Sequence, residues 1–157
     1  MRRRFGNLLA DTMRDERVYL LAGDVGFGVL DAAFAAAPDR AFNMGAAEQA
    51  MIGAAVGLIS EGKIPICYTI TPFLLYRPYE WLRNYVQEEG APLKLVGVGR
   101  GGDYASLGYT HWCFEQRRFL ELLPRIRTYF PESVAELETM WPEFLNDGPA
   151  YLNLRRT

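Results

Sequence analysis

Histidine is almost missing from this chain: His111 is the single one among 157 residues. That excludes any zinc site built on two or more histidines. Cysteine is nearly as scarce. Cys67 and Cys113 are too few for a disulfide framework, and both sit among apolar residues, so reduced, buried thiols in a cytoplasmic protein are expected. No run of about 18 apolar residues occurs, so no membrane span is expected. The basic start, Met1-Arg2-Arg3-Arg4, meets Asp11, Arg14, Asp15, Glu16 and Arg17 too early for a signal peptide. An excess of one charge is also lacking. Seventeen basic against nineteen acidic residues leave a net charge of -2, which gives no global field for nucleic acid or an anionic membrane.

What remains is a globular composition, half hydrophobic, with 13% aromatic and 23% charged residues. The 157 residues read as one domain. Residues 5–14 predict an amphipathic helix with Phe5, Leu8, Leu9 and Met13 on one side. Val18–Ala22 is a short apolar run of the buried-strand kind, closed by Gly23-Asp24. Helices are predicted at 28–37, 46–61, 74–89 (broken or kinked at Pro78), 114–123 and 133–146. Further strands are predicted at 64–70, 93–98, 126–130 and 150–154. Alternating strands and helices imply an α/β domain: a mainly parallel sheet with helices on both faces. Ligands in such sheets gather outside the carboxyl ends of the strands. This places Gly23-Asp24, residues 71–77 and the glycine-rich loop 99–111 on the functional edge.

Gly97-Val98-Gly99-Arg100-Gly101-Gly102 matches a dinucleotide fingerprint in letters only. The chain continues as a loop, without the helix such a site needs. Glu48 opens the 46–61 helix. It reads either as a carboxylate stabilising the helix dipole, worth roughly 0.3–1 kcal/mol, or as a desolvated, proton-exchanging acid. The helix is small and apolar on every side, which predicts burial all round and close backbone packing at Gly53 and Gly57. Phe73 and Tyr76 follow a strand and are either core or ligand-facing. Arg77 and Glu80 stand three apart, the spacing of a helical ion pair. His111 closes the glycine-rich loop, with a structural or a polar functional role.

In order along the chain, Gly23-Asp24-Val25-Gly26-Phe27, Asn43-Met44-Gly45-Ala46-Ala47-Glu48-Gln49, Tyr68-Thr69-Ile70-Thr71-Pro72-Phe73, Arg77-Pro78-Tyr79-Glu80 and Gly108-Tyr109-Thr110-His111 resemble the pyrimidine-binding domain of transketolases. Within that family the chain resembles the C-terminal subunit of split, transketolase-like enzymes. The resemblance covers nearly all of residues 1–157 and implies a thiamine diphosphate-binding fold of the pyrimidine type. It also implies thiamine diphosphate chemistry. The glutamate matching Glu48 shares a proton with a ring nitrogen of the cofactor's aminopyrimidine. The aromatic matching Phe73 stacks on that ring, and Tyr76 matches a further aromatic of the pocket. The histidine matching His111 reaches toward substrate oxygens.

Departures from the family pattern carry information. A serine that follows the first strand's acidic residue is Phe27-Gly28 here. A histidine early in the glycine-rich loop is Gly99 or Arg100, and an aspartate before Gly-x-Thr-His is Leu107. Those groups hold a donor's phosphate and hydroxyls, so Arg100 and Tyr104 are expected to line a different acceptor pocket. The Gly-Asp-Gly motif and downstream asparagine that bind Mg²⁺ and the diphosphate are expected on a separate subunit. Gly23-Asp24-Val25 with Asn43 only imitates them, and no metal ligand is assigned to this chain. The family's third domain is not expected within these residues. The resemblance thus implies an α2β2 heterotetramer with the 46–57 helix packed at its centre. The implied reaction moves a two-carbon ketol or acyl unit from a ketose or 2-oxo acid donor to an acceptor. Alternatives are the β chain of a 2-oxoacid dehydrogenase and a non-catalytic regulatory subunit that keeps the fold.

Overall fold

The computed structural model describes residues 1–156. Six strands form one sheet: β1 (Val18–Ala22), β2 (Ala41–Asn43), β3 (Ile64–Ile70), β4 (Lys94–Val98), β5 (Arg127–Tyr129) and β6 (Ala150–Leu154). Their order is β2-β1-β3-β4-β6-β5, and every neighbouring pair is parallel. Parallel pairing needs a crossover between strands, which the intervening helices supply. These are α1 (Arg2–Thr12), α2 (Asp31–Ala36), α3 (Glu48–Ser60), α4 (Thr71–Tyr76), α5 (Tyr79–Trp81), α6 (Gln116–Leu120) and α7 (Val134–Asn146). From Leu82 to Glu88, α5 continues as a π-helix.

Side chains alternate across the strands and feed two cores. On one face, Leu20, Ile66, Tyr68, Val96 and Leu152 pack with Phe5, Leu9, Trp141 and Phe144 from α1 and α7. On the other, Leu21, Cys67, Leu95 and Tyr151 pack with Met51, Ile52, Leu74, Leu75 and Leu120 from α3, α4 and α6. Both cysteines are free and buried. Burial pushes the Cys113 thiol up to about 11 and that of Cys67 further still.

The predicted elements differ from the observed ones in three places. The sequence reading passes over the edge strand β2. The predicted 74–89 helix begins earlier, at Thr71, and is interrupted at Pro78, which lacks an N–H donor. Within this chain, the 46–61 helix is buried on one side only. Glu48, Met51, Ile52 and Ala55 are buried, whereas Ala46, Ala47, Ala50, Ala54 and Gly57 are exposed. A side chain at Gly53 would meet the Trp81 ring at 3.3 Å, but nothing lies within 4 Å of one at Gly57. Small apolar residues read alike whether their face meets this chain or nothing in it, so composition could not separate the two sides.

Candidate active site

Three strand ends meet at the carboxyl edge of the sheet. After β1, Asp24 adopts the left-handed conformation (φ 56°), sparsely populated for a residue with a side chain. Asn43, at the end of β2, holds it: the Asn43 amide donates to Asp24 Oδ1 and its Oδ1 accepts from the Asp24 N–H, each at 3.1 Å. The same Asn43 oxygen accepts from Gly45 N–H at 3.0 Å, fixing the chain that leads to Glu48. The apparent metal motif is therefore a mutual clasp. Among the described residues, no three His, Cys, Asp or Glu side chains group so as to hold a metal.

Glu48 begins α3 and is only 2% exposed. Its Oε2 accepts a hydrogen bond from Arg77 Nη1 at 2.7 Å. Its Oε1 is buried and has no partner. Arg77 was expected to pair with Glu80 along the helix. Instead the break at Pro78 turns it toward α3, where its backbone carbonyl also accepts from Gln49 Nε2 at 3.1 Å. Sequence reasoning missed Arg77 as a site residue, because its true partner is 29 residues away.

The Arg77 guanidinium carbon lies 3.8 Å from the centre of the Phe73 ring, in cation–π contact. His111 packs on the same ring, with centroids 4.9 Å apart and planes inclined at 70°. The site thus joins Glu48, Arg77, Phe73 and His111 into one chain of contacts drawn from α3, α4 and the glycine-rich loop. Nδ1 of His111 lies 3.1 Å from Thr110 Oγ1. Beside Glu48 and Arg77 opens a cleft of about 610 Å³, floored by Ala46, Ala47 and Ala50.

Tyr76 points elsewhere, toward Phe119 at 5.0 Å and a smaller cleft it shares with Tyr109, Trp112 and Glu115. Its hydroxyl is buried without a partner. Burial, reinforced by the Glu115 carboxylate, holds the phenol well above the usual tyrosine range. Tyr104 stands between the His111 ring, 6.4 Å away, and the Arg156 guanidinium, 4.8 Å from its centre. A side chain at Gly99 (φ 88°) would strike the Tyr104 ring at 2.4 Å, which explains that glycine without a nucleotide. Arg100, expected in an acceptor pocket, has its guanidinium committed within the chain. It donates to Asn153 Oδ1 at 2.7 Å and to the Asn153 carbonyl at 3.1 Å, and it pairs with Glu132.

A buried, unpaired carboxylate oxygen beside an aromatic face suits a flat heterocycle that presents an N–H. The residues present therefore fit the aminopyrimidine of thiamine diphosphate.

Comparison with known proteins points the same way. The profile of "Transketolase, pyrimidine binding domain" matches residues 1–157. The 6-deoxy-6-sulfo-D-fructose transketolase subunit SqwH of Clostridium sp. (strain MSTE9) is 32% identical over 151 residues, covering 95% of this chain and 47% of that protein. One of the subunits of the apulose-4-phosphate transketolase of Actinobacillus succinogenes is 31% identical over 118 residues, covering 74% of this chain and 38% of that one. Among solved structures, a split-gene transketolase described as an inactive beta4 tetramer superposes with a TM-score of 0.82 at 28% identity, over 98% of this chain and 50% of that one. The chain spans about half the length of the curated relatives it matches, 47% in the case of the sulfofructose enzyme subunit. No helix among the described residues is long and apolar enough to cross a membrane. This chain belongs to the transketolase pyrimidine-binding domain family and has its thiamine diphosphate-type fold.

Proposed function

We propose that this chain supplies the pyrimidine side of a composite active site in a two-component, thiamine diphosphate-dependent transketolase-like enzyme. The observation that carries the reading is Glu48 Oε1, buried and unpartnered at the head of α3. Leaving such an atom unmatched costs about 1–3 kcal/mol, a cost that a bound N–H donor removes. When bound, the cofactor supplies a nucleophilic carbon and an electron sink for carbon–carbon bond cleavage and formation.

The chain's own residues have separable tasks. Glu48 holds and exchanges a proton at the ring nitrogen it faces, as a positioned acid/base. Phe73 offers the flat face on which the ring rests. His111, packed against Phe73, presents its imidazole toward substrate oxygens. Tyr104 backs His111 on the acceptor side, and Tyr76 lines the adjoining cleft. The exposed small-residue face of α3 is the docking surface for the partner chain, which covers the site and excludes water. That partner carries the Gly-Asp-Gly motif, the diphosphate and Mg²⁺, and the two chains form an α2β2 assembly. The reaction is transfer of a two-carbon unit from a ketose or 2-oxo acid donor. The named substrates of the relatives, a sulfo-ketose and a ketose phosphate, support the ketose class of donor.

Calorimetry tests the division of labour. The chain alone with Mg²⁺ is expected to bind thiamine diphosphate poorly. The chain mixed with a Gly-Asp-Gly subunit is expected to form a heterotetramer that binds it tightly. Micromolar binding by the chain alone would overturn the composite site.

A further inference from the structure

Neither oxygen of the Glu48 carboxylate is reachable in the free chain. Oε2 is taken by Arg77, and Oε1 is covered, although nothing bonds to it. A ring nitrogen can reach this carboxylate only if a neighbouring side chain moves. The residues lining the cleft in front of it are Ala46, Ala47, Gln49, Ala50 and Arg77 besides Glu48 itself. The alanines have no side-chain torsion with which to withdraw. Gln49 is tied through its amide to the Arg77 carbonyl. Arg77 has a long side chain, 44% exposed, held by one ion pair and one stacking contact. Its guanidinium, a flat and delocalised cation, lies over Phe73 where a flat heterocycle would lie, and donates to Glu48 Oε2, the neighbour of the unpartnered Oε1 that the heterocycle would use.

We propose that Arg77 is a gating residue that stands in for the ligand's ring. In the free chain it closes over Phe73 and Glu48. On binding, its guanidinium swings toward solvent, and the ring takes both the aromatic face and the carboxylate. The gate shields a buried carboxylate and an aromatic face until a ring competes for them, and it lowers affinity by the free energy of the closed contact. Exposed cation–π contacts and partly exposed ion pairs are each weak, so the gate opens for a ligand of modest affinity. This inference rests on reading Phe73 and Glu48 as partners of the aminopyrimidine.

Two experiments on the full chain test it. First, nuclear magnetic resonance with ¹⁵N,¹³C-arginine reads the guanidinium without any ligand. Arg77 is expected to show ring-shifted, slowly rotating Nη groups. Phe73→Leu should remove the ring shift, and Glu48→Met, which leaves no acceptor for the guanidinium, should restore fast rotation. A freely rotating, unshifted Arg77 in the wild-type chain would overturn the gate. Second, 4-amino-5-hydroxymethyl-2-methylpyrimidine, the ring without its diphosphate, is titrated into wild type, Arg77→Met, Arg77→Lys and Phe73→Leu. Lysine keeps the charge beside Glu48 and cannot stack as a plane, so it guards against misfolding of the methionine variant. The gate predicts binding roughly three- to tenfold tighter in both Arg77 variants, the scale of a weak contact released. Unchanged or weaker binding in both, with Phe73→Leu still weakening it, overturns the gate and leaves the cofactor reading standing. Phe73→Leu without effect overturns both. No binding by a folded Arg77 variant up to the solubility of the ring also overturns the gate, because those variants represent its open form.

Discussion

Two buried polar clusters lie at the carboxyl edge of the same sheet, and they are treated in opposite ways. Under β3, β4 and β6 the first is closed. Asn153 Nδ2 lies within 3.2 Å of the Gly97 and Gly99 carbonyls, of Thr71 Oγ1 and of Tyr151 Oη, and shares its two hydrogens among them. Thr71 donates to the Gly99 carbonyl at 2.6 Å, and Tyr151 to Gln116 Oε1 at 3.2 Å. Arg100 completes the set at Asn153 Oδ1. The second, around Glu48 and Arg77, is open: Glu48 Oε1 is buried without a partner, as is Tyr76 Oη in the separate, smaller cleft. A satisfied network rigidifies the place where it sits, whereas an unsatisfied group is a standing cost. The closed cluster ties the glycine-rich loop to the first residue of α4, so that His111 and Phe73 arrive in register. The open one is where a ligand gains most by binding.

The comparison breaks most visibly at Glu48. Glu48→Gln keeps the shape and hydrogen-bonding capacity of the side chain, so folding and assembly should survive. Proton exchange should not, because the loss of a positioned acid/base costs roughly 10²–10⁴-fold. Hydrogen–deuterium exchange at the thiazolium carbon of cofactor bound to the reconstituted complex measures this without knowledge of the substrate. Exchange at the wild-type rate would reduce Glu48 to a helix-terminal charge.

Asn153→Ala attacks the closed cluster. It strips donors from two buried carbonyls and leaves Arg100 without its shortest contact to a neutral partner. The expected loss of stability is about 1–3 kcal/mol, and at about 2–4 °C per kcal/mol for a chain of this size the melting temperature falls visibly. A thermal melt that does not move would show that water replaces the amide and that the cluster is not closed.

Phe73→Ala probes the aromatic face between the two clusters. Stacked aromatics contribute about 0.5–1.5 kcal/mol beyond their buried area. Cofactor affinity in the assembled complex should fall several-fold, with assembly itself intact. Unchanged affinity would return Phe73 to the core.

How much of the fold and site is legible in the sequence follows from how far apart the partners lie. The apolar runs mark β1, β3, β4 and β6 because a strand's burial is written in consecutive residues. β2 escapes because Ala41-Phe42-Asn43 forms no apolar run, whereas β5, equally short, is marked by Ile126 and Phe130 on either side. Glu48, Phe73 and His111 stand out by local oddity: a carboxylate heading an alanine helix, an aromatic at a strand end, a lone histidine after glycines. Spacing assigns Arg77 wrongly to Glu80, since it reveals neighbours along a helix but not a partner across the Pro78 break. The one-sided burial of α3 is equally illegible, because alanine fits either an interface or open solvent. No local sign shows that Asn153 holds Arg100, since the two stand 53 residues apart.

The smallest expected effect separates the clusters by stability alone. Glu48→Met removes a buried carboxylate with one unmatched oxygen and replaces it with an apolar side chain of similar length. Three terms oppose one another. The substitution loses the ion pair with Arg77, worth about 0–1 kcal/mol at a partner this exposed, and a helix-dipole contribution of roughly 0.3–1 kcal/mol. It gains back the desolvation of a half-satisfied charge; with the lost pairing already counted, replacing buried ionic groups by apolar ones is often neutral or stabilising by about 1–4 kcal/mol. The leftover Arg77 charge costs little, because that side chain is 44% exposed and turns to water. The free chain should therefore melt at the wild-type temperature or a few degrees above it, while the reconstituted complex loses activity. A residue kept at the expense of stability marks function. If Glu48→Met instead lowers the melting temperature as far as Asn153→Ala does, the two clusters are alike, and Glu48 belongs to the framework that holds the fold together.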